Sequence, residues 1–137
     1  MIIDTSSPPK YQTDATMERP YQQIEFERRG EVYCVRLRHA KLDENGLEEL
    51  SAEMARLIDE DGCRKMVLAL GPEDPLCLYS VFLAKLVNLQ RRLGAAGGAL
   101  ALAGLSDNTQ HIFQVAGLHK FFFFHPEVET AVGALSK

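Results

Sequence analysis

The chain has 137 residues, of which 46% are hydrophobic and 25% charged, a composition that fits one globular domain and excludes a wholly disordered protein. Fifteen Lys and Arg against nineteen Asp and Glu give a net charge of −4, which argues against a nucleic-acid-binding protein because phosphate recognition requires a basic surface. No apolar run approaches the ~20 residues of a membrane span, and the N-terminus lacks the order of a secretory signal. The three cysteines are scattered, so we expect reduced thiols in a cytoplasmic protein.

The first half of the chain reads as a tail, a hairpin and a helix. Residues 1–21 are polar and interrupted by prolines, which predicts a disordered N-terminal tail ahead of a domain over residues 22–137. Apolar and polar residues then alternate on both sides of Gly30-Glu31, a pattern that predicts a β-hairpin. Apolar residues at helical spacing between Leu47 and Ile58 predict an amphipathic helix, which begins after Asp43 as cap and ends near Gly62.

The middle of the chain predicts a strand, a helix and another strand. Residues 65–70 form a short apolar run typical of a buried strand, and a loop with two prolines follows over residues 71–79. Ser80 stands at the N-cap of the next helix, which we expect to end at Gly94. Residues 99–103 form the next inner strand.

The last third predicts a helix capped by Ser106, a strand over residues 120–124 and a terminal helix opened by Pro126. The four phenylalanines of residues 121–124 alternate between two faces, and we expect helices to cover both faces; the alternative is that one pair stays exposed as an apolar contact patch. The element order ββαβαβαβα indicates a single α/β domain, with a mixed, mostly parallel sheet of about five strands and about four helices.

The candidate chemical groups do not form an enzyme site. None of the four histidines has a partner at metal-binding spacing, and the glycines at 94, 97 and 98 end a helix rather than open one after a strand. We therefore expect no metal, no cofactor and no enzymatic activity. Ser80 and Asp43 are interpreted as helix caps; the alternative for Ser80 is a phosphoacceptor, since a helix N-terminus favours an added dianion.

Three blocks of sequence together resemble the STAS domain, the fold of bacterial anti-sigma factor antagonists. The blocks are Val35-Arg-Leu followed by Lys41-Leu-Asp43 and the first helix; Met66-Val-Leu-Ala-Leu70 followed by Ser80-Val-Phe-Leu-Ala-Lys-Leu86; and Arg91 to Ser106 with its Gly-Gly-x-Leu-x-Leu run, followed by Ile112-Phe113 and Gly117-Leu118. The likeness covers residues 23–136. The chain departs from the family pattern at Tyr79 and Phe82, where the family has Asp and Gly.

The resemblance implies a non-enzymatic regulator of transcription. In the family, the loop before the second helix and the start of that helix bind a histidine-kinase-like anti-sigma factor, which phosphorylates a serine there and so disrupts the contact. Ser80 falls on the phosphoacceptor position and Asp43 on a position near the same surface. Tyr79 and Phe82 are then expected as exposed contact residues, because aromatic side chains dominate interface hot spots.

Two alternatives remain. The first is a STAS scaffold or accessory subunit that is not phosphorylated, as in stressosome-like or lipid-transporter-like assemblies, with the Phe121–Phe124 segment or the aromatic loop buried in a stable complex. The second is a small enzyme or nucleotide-binding protein, against which the lack of a phosphate-binding loop argues. The sequence leaves the oligomeric state open.

Overall fold

A computed structural model describes residues 21–136, apart from Pro72 and Leu78. The predicted tail lies outside the described residues, except for Tyr21. This tyrosine is buried, and its hydroxyl donates a hydrogen bond to Asp61 Oδ2 at 2.8 Å. The backbone N–H groups of the next two residues, Gln22 and Gln23, donate to the two carboxylate oxygens of Glu53 at 2.7 and 2.8 Å. These two N–H groups satisfy the buried Glu53 carboxylate and hold the segment before the first strand against the first helix.

Within residues 21–136, five strands and four helices follow one another in the order that the sequence predicts. They are β1 (Ile24–Arg29), β2 (Val32–Leu37), α1 (Glu44–Asp59), β3 (Lys65–Ala69), α2 (Tyr79–Ala95), β4 (Ala99–Ala103), α3 (Asp107–Val115), β5 (Phe123–His125) and α4 (Val128–Leu135). The strands form one sheet in the order β1-β2-β3-β4-β5. The first pair is antiparallel and the other three are parallel, so the predicted mixed, mostly parallel sheet is confirmed.

The hairpin and the helix ends follow from local sequence at most positions. Arg29 pairs with Val32 across a two-residue turn, in which Gly30 has φ +64°. This left-handed conformation suits glycine, which has no Cβ. The terminator of α2 is Gly97 rather than Gly94, because the helix continues to Ala95 and the left-handed residue, with φ +84°, is Gly97.

The terminal helix also begins later than expected. Pro126 lies two residues before its first helical residue, because His125 is still paired with Ala103 in the sheet and the N-cap is Glu127. The prediction for Ser106 is confirmed, since its hydroxyl accepts a hydrogen bond from Thr109 N at 3.1 Å at the start of α3.

The two faces of the sheet are covered unequally. The larger core lies between the sheet and α1, α2 and α3, and contains Leu47, Leu86 and Phe113 among its fully buried side chains. Among the described elements, α4 alone covers the other face, through a smaller cluster built around Val67 and Ala131. Both layers bury the aliphatic side chains of the parallel strands, as expected for a sheet between helices.

The phenylalanine run differs from the favoured expectation. Only Phe123 and Phe124 belong to β5, and the strand is shorter than predicted. The rings of Phe122 and Phe124 pack against Phe113 at centroid distances of 5.6 and 5.3 Å. Phe123 is 62% exposed and Phe121 is 39% exposed. The expectation that helices cover both faces of the phenylalanine run is therefore wrong, and the alternative that one pair stays exposed is confirmed.

Candidate functional site

Three loops meet at one edge of the sheet. Strands β2, β3 and β4 are parallel, so their carboxyl ends lie together, and the segments 38–43, 71–80 and 104–106 follow them. We call these three segments the loop edge. Asp43, Tyr79 and Ser80 all belong to it. Ligand and partner sites of parallel α/β sheets lie at this edge, because the connecting loops there are free to vary.

The loop over residues 71–79 is held on one side by the segment before α1. The backbone N–H of Leu42 donates to Leu76 O at 2.9 Å, and the N–H of Leu76 donates to Ala40 O at 2.7 Å. These bonds form an isolated parallel bridge between Lys41 and Leu76. The Leu76 side chain is nevertheless 59% exposed, so this contact fixes an apolar side chain at the surface.

On its other side the loop is held by the start of α3. Asp74 Oδ1 accepts hydrogen bonds from the hydroxyls of Ser106 at 2.7 Å and Thr109 at 3.2 Å. Hydrogen bonding from Ser106 is the largest of the effects that lower the pKa of the Asp74 carboxyl. A Cβ on Gly71 would overlap the carbonyl oxygen of Gly104, so the two loops approach as closely as glycine allows. Asp74, Leu76 and Gly71 are therefore held between the segment before α1 and the start of α3.

Tyr79 and Phe82 have different environments. The Tyr79 ring is half-buried, and its hydroxyl donates to Pro75 O at 2.7 Å. Burial raises the pKa of this phenol above its ordinary value. Phe82 has no exposed surface, and its ring meets the Tyr79 ring edge-on at 6.1 Å. The expectation that Phe82 is an exposed contact residue is therefore wrong, because helical spacing turns Phe82 inward with Leu86.

Ser80 lies within the first turn of α2, not before it. The helix begins at Tyr79, so the expected N-cap role of Ser80 is wrong by position. The serine is exposed, and the first turn of α2 carries no acidic residue. The partial positive charge of the helix N-terminus would favour a negative group at this position. Ser80 is thus accessible to modification from the loop edge.

Asp43 caps the neighbouring helix, as predicted. It precedes α1, and its Oδ1 accepts a hydrogen bond from Gly46 N at 2.8 Å. The second turns of α1 and α2 are joined by Lys85 Nζ and Glu48 Oε2 at 3.1 Å, so the two helix N-termini are neighbours. The sequence placed Asp43 and Ser80 near one surface by resemblance, and the fold brings both to the loop edge. Leu76 and Asp74 were not singled out, because loop residues carry no periodic signal.

The remaining reactive side chains are dispersed. In the described part of the chain, no group of three or more His, Cys, Asp or Glu is placed to hold a metal ion. The thiols of Cys34, Cys63 and Cys77 are free, and burial raises the pKa of each, to about 12 for Cys63 and about 11 for Cys77. Across the helices that the structure describes, none is long and apolar enough to cross a bilayer.

Comparison with known families agrees with this architecture. The family model described as the STAS domain matches residues 23–131, from the first strand into the last helix. The chain belongs to the STAS domain family. The sequence resemblance is therefore confirmed, and the five-stranded mixed sheet with four helices is the STAS fold.

Solved STAS structures share this fold at low sequence identity. An anti-sigma factor antagonist from Mycobacterium paratuberculosis is 19% identical, with a TM-score of 0.71 over 88% of this chain and 100% of that one. An anti-sigma-factor antagonist (STAS) domain protein from Planctomyces limnophilus is 19% identical, with a TM-score of 0.69 over 82% and 96%. The Bacillus cell fate determinant SpoIIAA in its phosphorylated form is 20% identical, with a TM-score of 0.61 over 81% and 98%. SpoIIAA has also been solved unphosphorylated.

Proposed function

We propose that this STAS protein is a cytoplasmic regulator that binds a kinase-like anti-sigma protein through the loop edge, in the manner of an anti-sigma factor antagonist. It acts by contact rather than by catalysis. The observation that supports this most is that Leu76 and Ser80 are both exposed and flank half-buried Tyr79 in sequence, on a loop with described residues held from two sides. Residues held by such contacts lose little conformational entropy on binding. Asp43 contributes a negative charge to the rim of this surface.

The switch that we propose is phosphorylation of Ser80. A phosphoryl group adds about −1.5 to −2 charges at neutral pH. In the free protein the N-terminus of α2 stabilises this charge, whereas in a complex the charge lies next to Leu76 and Tyr79 and is removed from water. Phosphorylation therefore lowers affinity without unfolding the domain. The chain differs from the family pattern at Tyr79 and Phe82. Because Phe82 is buried, a kinase that binds at Ser80 contacts the Tyr79 ring and not the Phe82 ring.

The test is affinity capture from lysate of the native host, with wild type, Ser80→Asp and Asn88→Asp compared by quantitative mass spectrometry. Asn88 is exposed on α2 two turns beyond Ser80, so its substitution adds the same charge to the same helix away from the loop edge. We expect wild type and Asn88→Asp to retain a protein with a histidine-kinase-like ATP-binding domain and Ser80→Asp to lose it. Equal retention by all three proteins would exclude the switch.

The kinase step has its own readout. The captured partner, purified and incubated with ATP, transfers phosphate to wild type and not to Ser80→Ala, and peptide mass spectrometry locates the phosphate. Phosphate on Ser80→Ala, or on another residue of wild type, would contradict the assignment.

The second candidate is a STAS scaffold or accessory subunit without phosphorylation. The Tyr79 ring favours this candidate. It stands directly before Ser80, where the family pattern has a small Asp, and its hydroxyl is hydrogen-bonded to Pro75 O, so a bulky side chain lies beside the serine that a kinase would have to reach. In that case Ser80→Asp has little effect on the captured assembly, while Leu76→Ser or Tyr79→Ala removes it.

A further inference from the structure

A second surface lies along the outer edge of the sheet, which β5 forms. Phe123 begins β5 and pairs with Ala101 in the middle of β4, and Phe121 lies two residues before it. The two rings are 62% and 39% exposed, and Val115, the last residue of α3, is 75% exposed. Exposed rings in one short segment are unusual for a surface that only faces water. We call this surface the Phe end, defined by Val115, His119, Lys120, Phe121 and Phe123.

The segment that forms the Phe end carries an exposed lysine and no carboxylate. Residues 108–126 contain no Asp or Glu, although the chain contains nineteen. His119 and Lys120 are exposed beside the two rings. The Gln90 side chain donates to Phe121 O at 2.8 Å and so joins the last turns of α2 to this end. Arg91 and Arg92 are exposed in those turns, and Arg92 Nη1 lies 3.4 Å from Asp59 Oδ2.

The exposed aromatic area is too small for a stable protein interface. A buried phenylalanine covers about 150–250 Å², so the exposed parts of the two rings together amount to roughly one ring. A standard protein interface needs about 800 Å² from each partner. A symmetric dimer through the Phe end would also place Lys120 near the Lys120 of the second copy, with no carboxylate in residues 108–126 to offset it.

An anionic lipid surface fits the same features. It accepts a few inserted rings without a complementary groove, and it attracts Lys and Arg side chains that stay at the level of the headgroups. We propose that the Phe end binds peripherally to anionic phospholipid membranes, with Phe121 and Phe123 inserted and Lys120 at the headgroups. This inference does not depend on the function proposed for the loop edge.

The absence of tryptophan from the chain allows a direct test. Phe123→Trp and Leu76→Trp each introduce a single tryptophan, the first at the Phe end and the second at the loop edge. Each protein is mixed with vesicles of phosphatidylcholine alone and of equal parts phosphatidylcholine and phosphatidylglycerol. We expect a blue shift of the Phe123→Trp emission only with the anionic vesicles, weakened by salt. No shift for Phe123→Trp, or an equal shift for Leu76→Trp, overturns the proposal.

Co-sedimentation with the same vesicles tests the protein without an introduced tryptophan. Lys120→Glu is expected to weaken partitioning by at least about tenfold, since it replaces an attraction with a repulsion. Phe123→Ser is expected to abolish binding to the anionic vesicles, while Leu76→Ser leaves it unchanged. Circular dichroism confirms that each variant is folded. If wild type ignores both vesicles and Phe123→Ser loses a protein partner instead, the Phe end is a protein interface and the lipid proposal is wrong.

Discussion

Truncation of Phe82 distinguishes a core residue from a contact residue. The ring is fully buried in the larger core, against Tyr79 at its outer side. Phe→Ala substitutions in cores cost about 3–5 kcal/mol, through lost burial and the remaining cavity. A domain of this size has a free energy of unfolding of about 5–15 kcal/mol. Phe82→Ala should therefore remove about a fifth or more of the stability and lower Tm by about 10–20 °C.

The matched control is Phe123→Ala, the same substitution at a ring that is 62% exposed. Its cost should stay within about 0.5 kcal/mol, as for other surface positions. Both variants are compared with wild type by urea denaturation followed by circular dichroism. Equal midpoints for the two variants would refute the placement of Phe82 in the core. Phe82→Leu keeps most of the volume and should retain partner binding; a stable Phe82→Leu protein without binding would show that the ring itself is the contact.

Three further predictions concern local structure. Gly98→Ala should be strongly destabilising, because the added Cβ would overlap Arg64 O. Gly94→Ala should stabilise the protein by up to about 1 kcal/mol, because Gly94 lies inside α2 with open space around it. The urea midpoints of the two variants should therefore move in opposite directions. Asp43→Ala should cost about 1 kcal/mol through loss of the α1 cap and Asp43→Asn much less, and equal losses would contradict the capping role. Burial raises the pKa of Cys77 to about 11, so this thiol should react with iodoacetamide at pH 8 about a hundredfold more slowly than an unperturbed thiol. The reaction should become faster as the pH approaches 11, and it should be fast in denaturant. Equal rates in the native and the denatured protein would refute the burial of Cys77.

The two functional proposals can be tested separately because they rest on different residues. Ser80 and Leu76 test the loop edge, whereas Phe123 and Lys120 test the Phe end. Each set of variants is therefore the control for the other. Loss of partner capture in Ser80→Asp with unchanged vesicle binding would support two independent surfaces on one small domain.

The candidate site could be predicted only in part. The resemblance to the STAS family placed Asp43 and Ser80 near one surface, and the structure gives the reason: both follow parallel strands that end at the same edge. It assigned Phe82 to the wrong environment, since an aromatic residue beside a loop reads equally well as core or contact. It did not single out Asp74, whose hydroxyl partners Ser106 and Thr109 lie 32 and 35 residues further along the chain.

The sequence by itself determined the elements whose interactions are local. The turn at Gly30, the caps at Asp43 and Ser106 and the apolar faces of the helices depend on residues within a few positions of one another, so their patterns are legible in one dimension. Only the tertiary structure decided that β5 is short, that Phe122 and Phe124 are packed while Phe121 and Phe123 are exposed, and that the loop of residues 71–79 is held from both sides. Those outcomes depend on which distant surface arrives to cover each side chain. Packing partners far apart in sequence leave no periodic trace in it.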